Sequence, residues 1–248
     1  MMTATRGYRM NREINPQVYA RVGGILYLIM IALGIIEEAF IRGRIMAGDA
    51  AATFANLQKM ELLWRTGIAL ELLVVIFSIP LAVVLYVLMR PVHRELALLA
   101  LLFNVIAIAV EAAYSIQLVE ALFPLGRNAY LTAFTPGQLQ AMTALAMKAH
   151  VFGFGIALLL FGPFFLVTGY LIFKSGYLPK PIGVVYQLAG VAYMLNGFVL
   201  MLAPQWAGRM FMIMAVPAFV GETSFALWLL IKGVRIERWR SLTSVPAA

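Results

Sequence analysis

The sequence has no cysteine and only two histidines, His93 and His150. Without cysteine, a disulfide framework, a thiolate metal site and a cysteine nucleophile are excluded. The two histidines fall at opposite sides of the topology predicted below, so they cannot together bind a catalytic zinc ion or a haem. A phosphate loop of the Gly-x-x-x-x-Gly-Lys-Ser/Thr type and a Gly-x-Ser-x-Gly hydrolase motif are also absent. We therefore predict no metal site and no cofactor, and we assign no catalytic residue.

Charged residues are scarce as well. They make up 12% of the 248 residues, 63% are hydrophobic, and the mean hydropathy is +0.91. Soluble domains carry about 25% charged residues, so the composition predicts a polytopic membrane protein. The net charge of +8 does not indicate nucleic-acid binding, because the basic residues lie in short loops beside apolar runs, as topology signals do. Membrane lipids are the expected partners, and nucleic acid is not.

Six apolar segments reach the length of about 20 residues that a helix needs to cross a bilayer. They are residues 18–41, 64–89, 96–122, 145–173, 182–203 and 210–231. The runs are long and lack the alternation of a barrel strand, so the predicted fold is all-α with six transmembrane helices. The expected organisation is a cytoplasmic segment over residues 1–17, one six-helix domain over 18–235, and a cytoplasmic tail over 236–248 that is disordered from residue 238.

The distribution of basic residues predicts the orientation. With the N-terminus inside, twelve of the 19 Lys and Arg residues lie in inner segments and the remaining seven in outer ones, which places both termini in the cytoplasm. The inner set includes Arg6, Arg9 and Arg12. In the outer loops, Asp49 is the expected N-cap of a short surface helix, and Thr135 before Pro136 is a typical start of a longer one.

Glycine recurs at every seventh residue through the fourth and fifth segments. The positions are Gly155, Gly162, Gly169, Gly176, Gly183, Gly190 and Gly197. A seven-residue repeat stays close to one helix face, and glycine on that face lets two helix backbones approach closely in lipid. Because Gly176 lies in a polar turn, we predict a close-packed antiparallel hairpin of the fourth and fifth helices.

Several stretches resemble a known family. They are GYLIFKSGYLP at residues 169–179 with Ile182-Gly183, ARVGGILYL at 20–28, GDAAAT at 48–53, FVGE at 219–222 and LWLL at 227–230. Together they resemble the bacterial integral-membrane family called domain of unknown function 4386. The resemblance covers nearly the whole chain and implies a compact helical protein of the bacterial cytoplasmic membrane. It supplies no activity, ligand or catalytic residue.

Polar side chains at bilayer depth are the candidate ligand- or proton-binding residues, because an ionisable group there costs about 2.5–3.5 kcal/mol to insert. The candidates are Glu222, Glu111, His150, Glu71, Glu37, Asn104 and Asn196. At 1.5 Å per residue, Glu222 and Asn104 lie about 14–15 Å above the inner edge and His150 about 36 Å, with the others near 24–28 Å. This distribution predicts a polar vestibule that opens outward and narrows toward Glu222.

Each candidate also has a structural interpretation. Asn104 and Asn196 are typical of interhelical hydrogen bonds. Glu111 and Glu222 would be protonated, or paired with a basic residue or a tyrosine. His150 would be hydrogen-bonded to a carboxylate such as Glu71, an arrangement that would also suit a general base.

Two acid–base pairs have the favourable four-residue spacing of helical salt bridges. They are Glu38 with Arg42 and Glu61 with Arg65, and both are expected at the membrane interface.

Three hypotheses about function remain open. The first is binding or movement of a small molecule or lipid through the vestibule, with Glu222 and Glu111 in contact with the ligand or a coupling proton. Transport by only six helices would call for a homo-oligomer, since many secondary transporters contain ten or more. The second is an intramembrane enzyme acting on a lipid-like substrate, with His150 or Glu222 as acid or base. The third is a structural or regulatory subunit that uses its glycine hairpin as a docking surface.

Overall fold

Six long helices dominate the computed structural model, which describes residues 15–243 and contains no strand within them. We number them α1 (Pro16–Ile45), α2 (Glu61–Met89), α3 (Arg94–Tyr114, continued by Ile116–Glu120), α4 (Pro136–Ser175), α5 (Lys180–Leu202) and α6 (Pro204–Ile231). Shorter helices span Ala50–Lys59, Phe123–Leu125, Ala129–Ala133 and Ile236–Thr243. Arg6, Arg9 and Arg12, on which the orientation partly rests, lie outside the described residues, as do residues 244–248.

Each of the six long helices in the described part of the chain is long and apolar enough to cross a membrane. Many of their large apolar side chains are exposed, as lipid-facing residues would be. The prediction of an all-α, multi-pass membrane protein is therefore confirmed at the level of helix number, length and composition.

Local sequence signals explain where several helices begin and end. Asp49 accepts a hydrogen bond from the backbone N–H of Ala52 at 2.7 Å and starts the helix Ala50–Lys59. Thr135 and Gln138 form a capping box at the start of α4. At the other end of α4, Gly176 adopts a left-handed conformation with φ of 71°, which favours glycine. The predicted caps at Asp49 and Thr135 are confirmed.

The six long helices form a closed ring in chain order. Each helix packs against the next one along the chain, and α6 packs against α1. We call the end of the bundle that holds Asn15 the near end and the opposite end the far end. The ring leaves interior space that all six helices can line, and this space contains the candidate site.

Glycines face one another where α4 packs against α5. A Cβ atom built on Gly183 would lie 2.6 Å from the carbonyl oxygen of Gly169, and one built on Gly190 would lie 2.7 Å from that of Gly162. Such distances leave no room for a side chain, so the two backbones are in direct contact along this face. The glycine face therefore meets a helix of the same chain, which speaks against its use as a docking surface for another protein.

The C-terminal helix closes the near end of the bundle. The Tyr177 hydroxyl and the Trp239 indole N–H both donate to the backbone carbonyl of Leu88, at 2.5 and 3.3 Å. Burial raises the pKa of Tyr177, so this hydroxyl remains a donor at neutral pH. Gln17 also accepts from the N–H of Val234 at 3.1 Å. The expected disorder from residue 238 is thus wrong for residues 238–243, which are helical because Trp239 anchors them.

The close approach of α4 and α5 makes a stability prediction. We expect Gly162→Leu or Gly190→Leu to lower the midpoint of thermal unfolding in detergent, because forcing atoms into a well-packed interface costs about 1–3 kcal/mol. Gly137→Leu is the matched control, since a Cβ on Gly137 of the same helix α4 would meet nothing within 4 Å. If the first two variants unfold at the same temperature as the control, the glycine contact does not stabilise the protein.

Candidate functional site

Two adjoining cavities lie inside the helix ring. The far cavity has a volume of about 450 Å³, and the inner cavity, which lies deeper, has about 280 Å³. Four residues line both of them and define what we call the neck: Gly34, Val74, Glu111 and Phe154. They come from α1, α2, α3 and α4, so the neck is held by four different helices.

The structure brings all seven candidate residues to these cavities. Five line the far cavity: Glu37, Glu71, Glu111, His150 and Asn196. Three line the inner cavity: Asn104, Glu111 and Glu222. Because Glu111 belongs to both linings, the seven side chains lie around two cavities that adjoin at the neck. Glu222 and Asn104 lie at its deeper end.

Arg42 is the centre of an ion-pair network in the far cavity. Its guanidinium contacts Glu37 at 2.5 Å and Glu71 at 2.7 Å, and it reaches Glu38 at 3.4 Å. Glu37 and Glu71 are each only 5% exposed. Buried carboxylates need such a partner, because an uncompensated charge in a low-dielectric environment is costly. Arg42 therefore makes it possible for two acidic residues to lie inside the bundle.

The helix geometry of α1 explains why sequence spacing missed this role of Arg42. From Ile36 to Arg42 the helix widens into a π-type turn, in which residues five apart align. Glu37 is five residues before Arg42 and becomes its closest partner, whereas the four-residue rule selected Glu38. The Glu38–Arg42 contact exists, but Arg42 faces the cavity instead of forming a simple interfacial pair. The signal in the sequence was the pair of adjacent acids, Glu37-Glu38, before one arginine.

Glu71 also holds His150 and Ser115. The Ser115 hydroxyl donates to Glu71 at 2.6 Å, and His150 Nε2 lies 3.2 Å from the same carboxylate oxygen. In a nucleophilic triad the histidine stands between the hydroxyl and the acid. Here the carboxylate stands in the middle, so His150 is not placed to activate Ser115. The structural interpretation of His150, a hydrogen bond to Glu71, matches this geometry.

The inner cavity combines one carboxylate with a tyrosine cluster. Glu222 accepts a short hydrogen bond from the Tyr193 hydroxyl, and the hydroxyls of Tyr27 and Tyr186 lie 2.9 Å apart. The rest of the lining is mostly apolar, from residues such as Met30, Ile31, Leu81, Leu85, Leu158 and Phe161. Glu222 thus has a tyrosine partner, one of those expected for it, and the tyrosines themselves had not been singled out.

Three polar side chains on these cavities have no protein partner. Within residues 15–243, the carboxylate of Glu111 and the amides of Asn104 and Asn196 make no hydrogen bond or ion pair. Asn104 is 6% exposed and Asn196 5% exposed. The expectation that the two asparagines join neighbouring helices by hydrogen bonds is therefore wrong. Glu111 is half-buried, and none of the three is a buried polar atom without a partner, so these groups are open to the cavities, where water or a bound molecule can satisfy them.

The packing of α1 against α6 loosens toward the far cavity. Toward the near end α1 and α6 are tightly packed, and a Cβ on Gly24 would lie 2.5 Å from the backbone nitrogen of Leu230. Toward the far end, α1 has no buried residue over 28–36 and α6 has none over 204–217. Gly34 and Gly208 both line the cavity, and a Cβ on either would meet nothing within 4 Å. The packing between α1 and α6 is therefore loosest beside the far cavity.

Metal ligation finds no support in the geometry. Across residues 15–243, no group of three or more His, Asp or Glu side chains could hold a metal ion. His150 and Glu71 are engaged with each other and with Arg42 instead.

The Arg42 network makes a prediction about stability. We expect Arg42→Ala to cost about 3–5 kcal/mol, because it leaves Glu37 and Glu71 buried without their partner. Arg65→Ala is the control: its pair with Glu61 has the same helical spacing as Glu38 with Arg42 but is exposed, and such pairs contribute about 0–1 kcal/mol. Thermal unfolding in detergent measures both.

A second substitution tests whether the unpaired Glu37 carboxylate is the cause of the lost stability. Adding Glu37→Gln to Arg42→Ala should recover part of the lost stability, because Arg42 is the only ion-pair or hydrogen-bond partner of Glu37 among the described residues. Equal effects of Arg42→Ala and Arg65→Ala would show that the buried network is not what stabilises the far cavity.

Comparison with known proteins gives a family and no activity. No curated protein and no solved structure matches the chain. A family model described as Domain of unknown function (DUF4386) matches residues 22–233, which include nearly all of the six-helix ring and every residue of the two cavities. The match extends over more than half of the chain and agrees with the resemblance found in the sequence. The chain therefore belongs to the DUF4386 family.

Proposed function

We propose that this protein binds or moves a small molecule or lipid in the connected far and inner cavities. The observation that carries the proposal is the set of three unpartnered polar groups, Glu111, Asn104 and Asn196, on their walls. Ligand sites in proteins are mostly apolar clefts of about 300–1,000 Å³ with a few convergent polar groups. The far cavity, with about 450 Å³, has that size and character.

The shape of the bundle supports access from one side. The near end is closed by Tyr177 and Trp239, whereas the far cavity lies beside the loosely packed stretches of α1 and α6. The closed near end and the basic residues of the inner segments both support one orientation. We propose that both termini are cytoplasmic and that the far end faces outward. The proposed location is the bacterial cytoplasmic membrane, and a homo-oligomer remains part of the transport hypothesis.

Neither alternative function gains a specific observation. The order Ser115–Glu71–His150 does not make a nucleophile, and Glu222 is engaged with Tyr193. The glycines proposed as a docking surface face each other within the hairpin. Binding in the cavities therefore remains the function that the geometry supports best.

Filling the neck tests the proposal. Gly34→Leu should fold, because a Cβ at Gly34 meets nothing within 4 Å, but its side chain should occupy the space shared by the two cavities. Gly137→Leu adds the same side chain at an open position away from both cavities. In native mass spectrometry of gently purified protein, we expect the parent and Gly137→Leu to retain a molecule that Gly34→Leu loses.

A carboxylate variant tests the inner cavity separately. Glu222→Gln keeps a carbonyl acceptor for the Tyr193 hydroxyl, so we expect it to fold and yet to retain less of the same molecule. A parent protein that carries no molecule, or a Gly34→Leu variant that carries as much as the parent, would contradict the proposal. Unfolding of Glu222→Gln would show that Glu222 is structural.

A further inference from the structure

We infer that the ligand of these cavities is an organic cation with an apolar tail, held by its charge at Glu111 and entering from the membrane between α1 and α6. This inference rests on the proposed binding function and specifies its ligand class. It follows from the balance of charge around the far cavity, the composition of the neck, the lining of the inner cavity and the loose packing of α1 against α6.

The balance of charge favours a cation. Four acidic side chains line the far cavity, Glu37, Glu38, Glu71 and Glu111, against one arginine. Arg42 is already in contact with the first three. An anion would have to displace these carboxylates to reach the guanidinium, whereas a cation can pair with Glu111 without breaking any contact. Glu38 is largely exposed at the mouth of the cavity, where it adds to the attraction for positive charge.

The neck supplies the second element of cation recognition, an aromatic surface. Phe154 lines both cavities, as Glu111 does, and it is part of an aromatic row. Its ring centroid lies 6.4 Å from that of Tyr114 and 6.3 Å from that of Phe211. Aromatic faces attract alkylammonium groups, and they do so more strongly when water is excluded. A carboxylate beside such rings favours an amine over a metal ion, for which no ligand cluster exists among residues 15–243.

The inner cavity suits the tail. Below the neck its wall is formed mainly by aliphatic and aromatic side chains, including Ile31, Leu81, Leu158 and Phe161. Asn104, which has no partner, is a polar exception. A ligand with its charge at Glu111 would therefore place an alkyl chain against an apolar surface, and each methylene group buried there adds to the affinity.

The route of entry fits an amphiphile. The loosely packed stretches of α1 and α6 contain Gly34 and Gly208, which line the far cavity within segments long and apolar enough to cross the bilayer. A molecule that partitions into the membrane with its charge at the headgroup level can enter here, between α1 and α6. A strongly hydrated ion cannot take this route, because such an ion does not enter the hydrocarbon region.

The test compares three ligands of one chain length: octylamine, octanol and octanoate. Each is titrated at pH 7 by calorimetry into the full-length protein in nanodiscs of zwitterionic phosphatidylcholine, and the signal of protein-free nanodiscs is subtracted. We expect octylamine to bind at least about tenfold more tightly than octanol, which corresponds to about 1.4 kcal/mol, and octanoate to bind most weakly.

Variants locate the preference. Glu111→Gln should abolish it, whereas Glu61→Gln, which alters an exposed carboxylate outside both cavities, should keep it. Phe154→Leu should reduce the preference for octylamine over octanol. This variant changes no charged group, so it still tests the inference if Glu111→Gln does not fold.

The inference is overturned if octanol or octanoate binds as tightly as octylamine, if none of the three binds, or if a folded Glu111→Gln variant keeps the preference. These results leave the proposed function open to its own experiment, because retention of another molecule by the parent and its loss in Gly34→Leu would still support binding in the cavities.

Discussion

The need to compensate buried charge governs the arrangement of the far cavity. Glu37 and Glu71 come from different helices and are almost completely buried, and both depend on the guanidinium of Arg42. Glu71 in turn fixes Ser115 on α3 and His150 on α4. One arginine thus links four helices through charged and polar contacts that are stronger in a poorly solvated interior than in water. The remaining walls of the cavity are positioned around this network.

The same constraint makes Glu111 exceptional. Every other acidic residue on the two cavities has a partner in the described part of the chain: Arg42 serves Glu37, Glu38 and Glu71, and Tyr193 serves Glu222. Glu111 has none and lies at the neck. The two buried acids, Glu37 and Glu71, are both paired within the fold, whereas the half-buried Glu111 is left open to the cavities. This contrast is the reason for assigning Glu111 to the ligand and not to the fold.

The bundle has tightly packed parts and loosely packed parts. Direct backbone contact along α4 and α5, and the closure of the near end by Tyr177 and Trp239, leave little freedom at the base of the cavities. Residues 28–36 of α1 and 204–217 of α6 include no buried residue and have few contacts to lose. Low local burial is where local opening requires the least free energy. In α1 this loosely packed stretch ends where the charge network begins, at the buried Glu37.

Local properties of the chain could be predicted from the sequence. Hydropathy gave the helices, side-chain chemistry gave the caps at Asp49 and Thr135, and the cost of polar groups in lipid selected the seven residues that line the cavities, because each of these depends on near neighbours in the chain. The partners did not follow from the sequence. A π-type turn made Glu37, and not Glu38, the closest partner of Arg42, and only the packing of α2 against α1 decided that Glu71 would also meet Arg42, while Glu111 has no partner among the described residues. Those outcomes depend on how helices distant in sequence are offset and rotated, which no local period encodes.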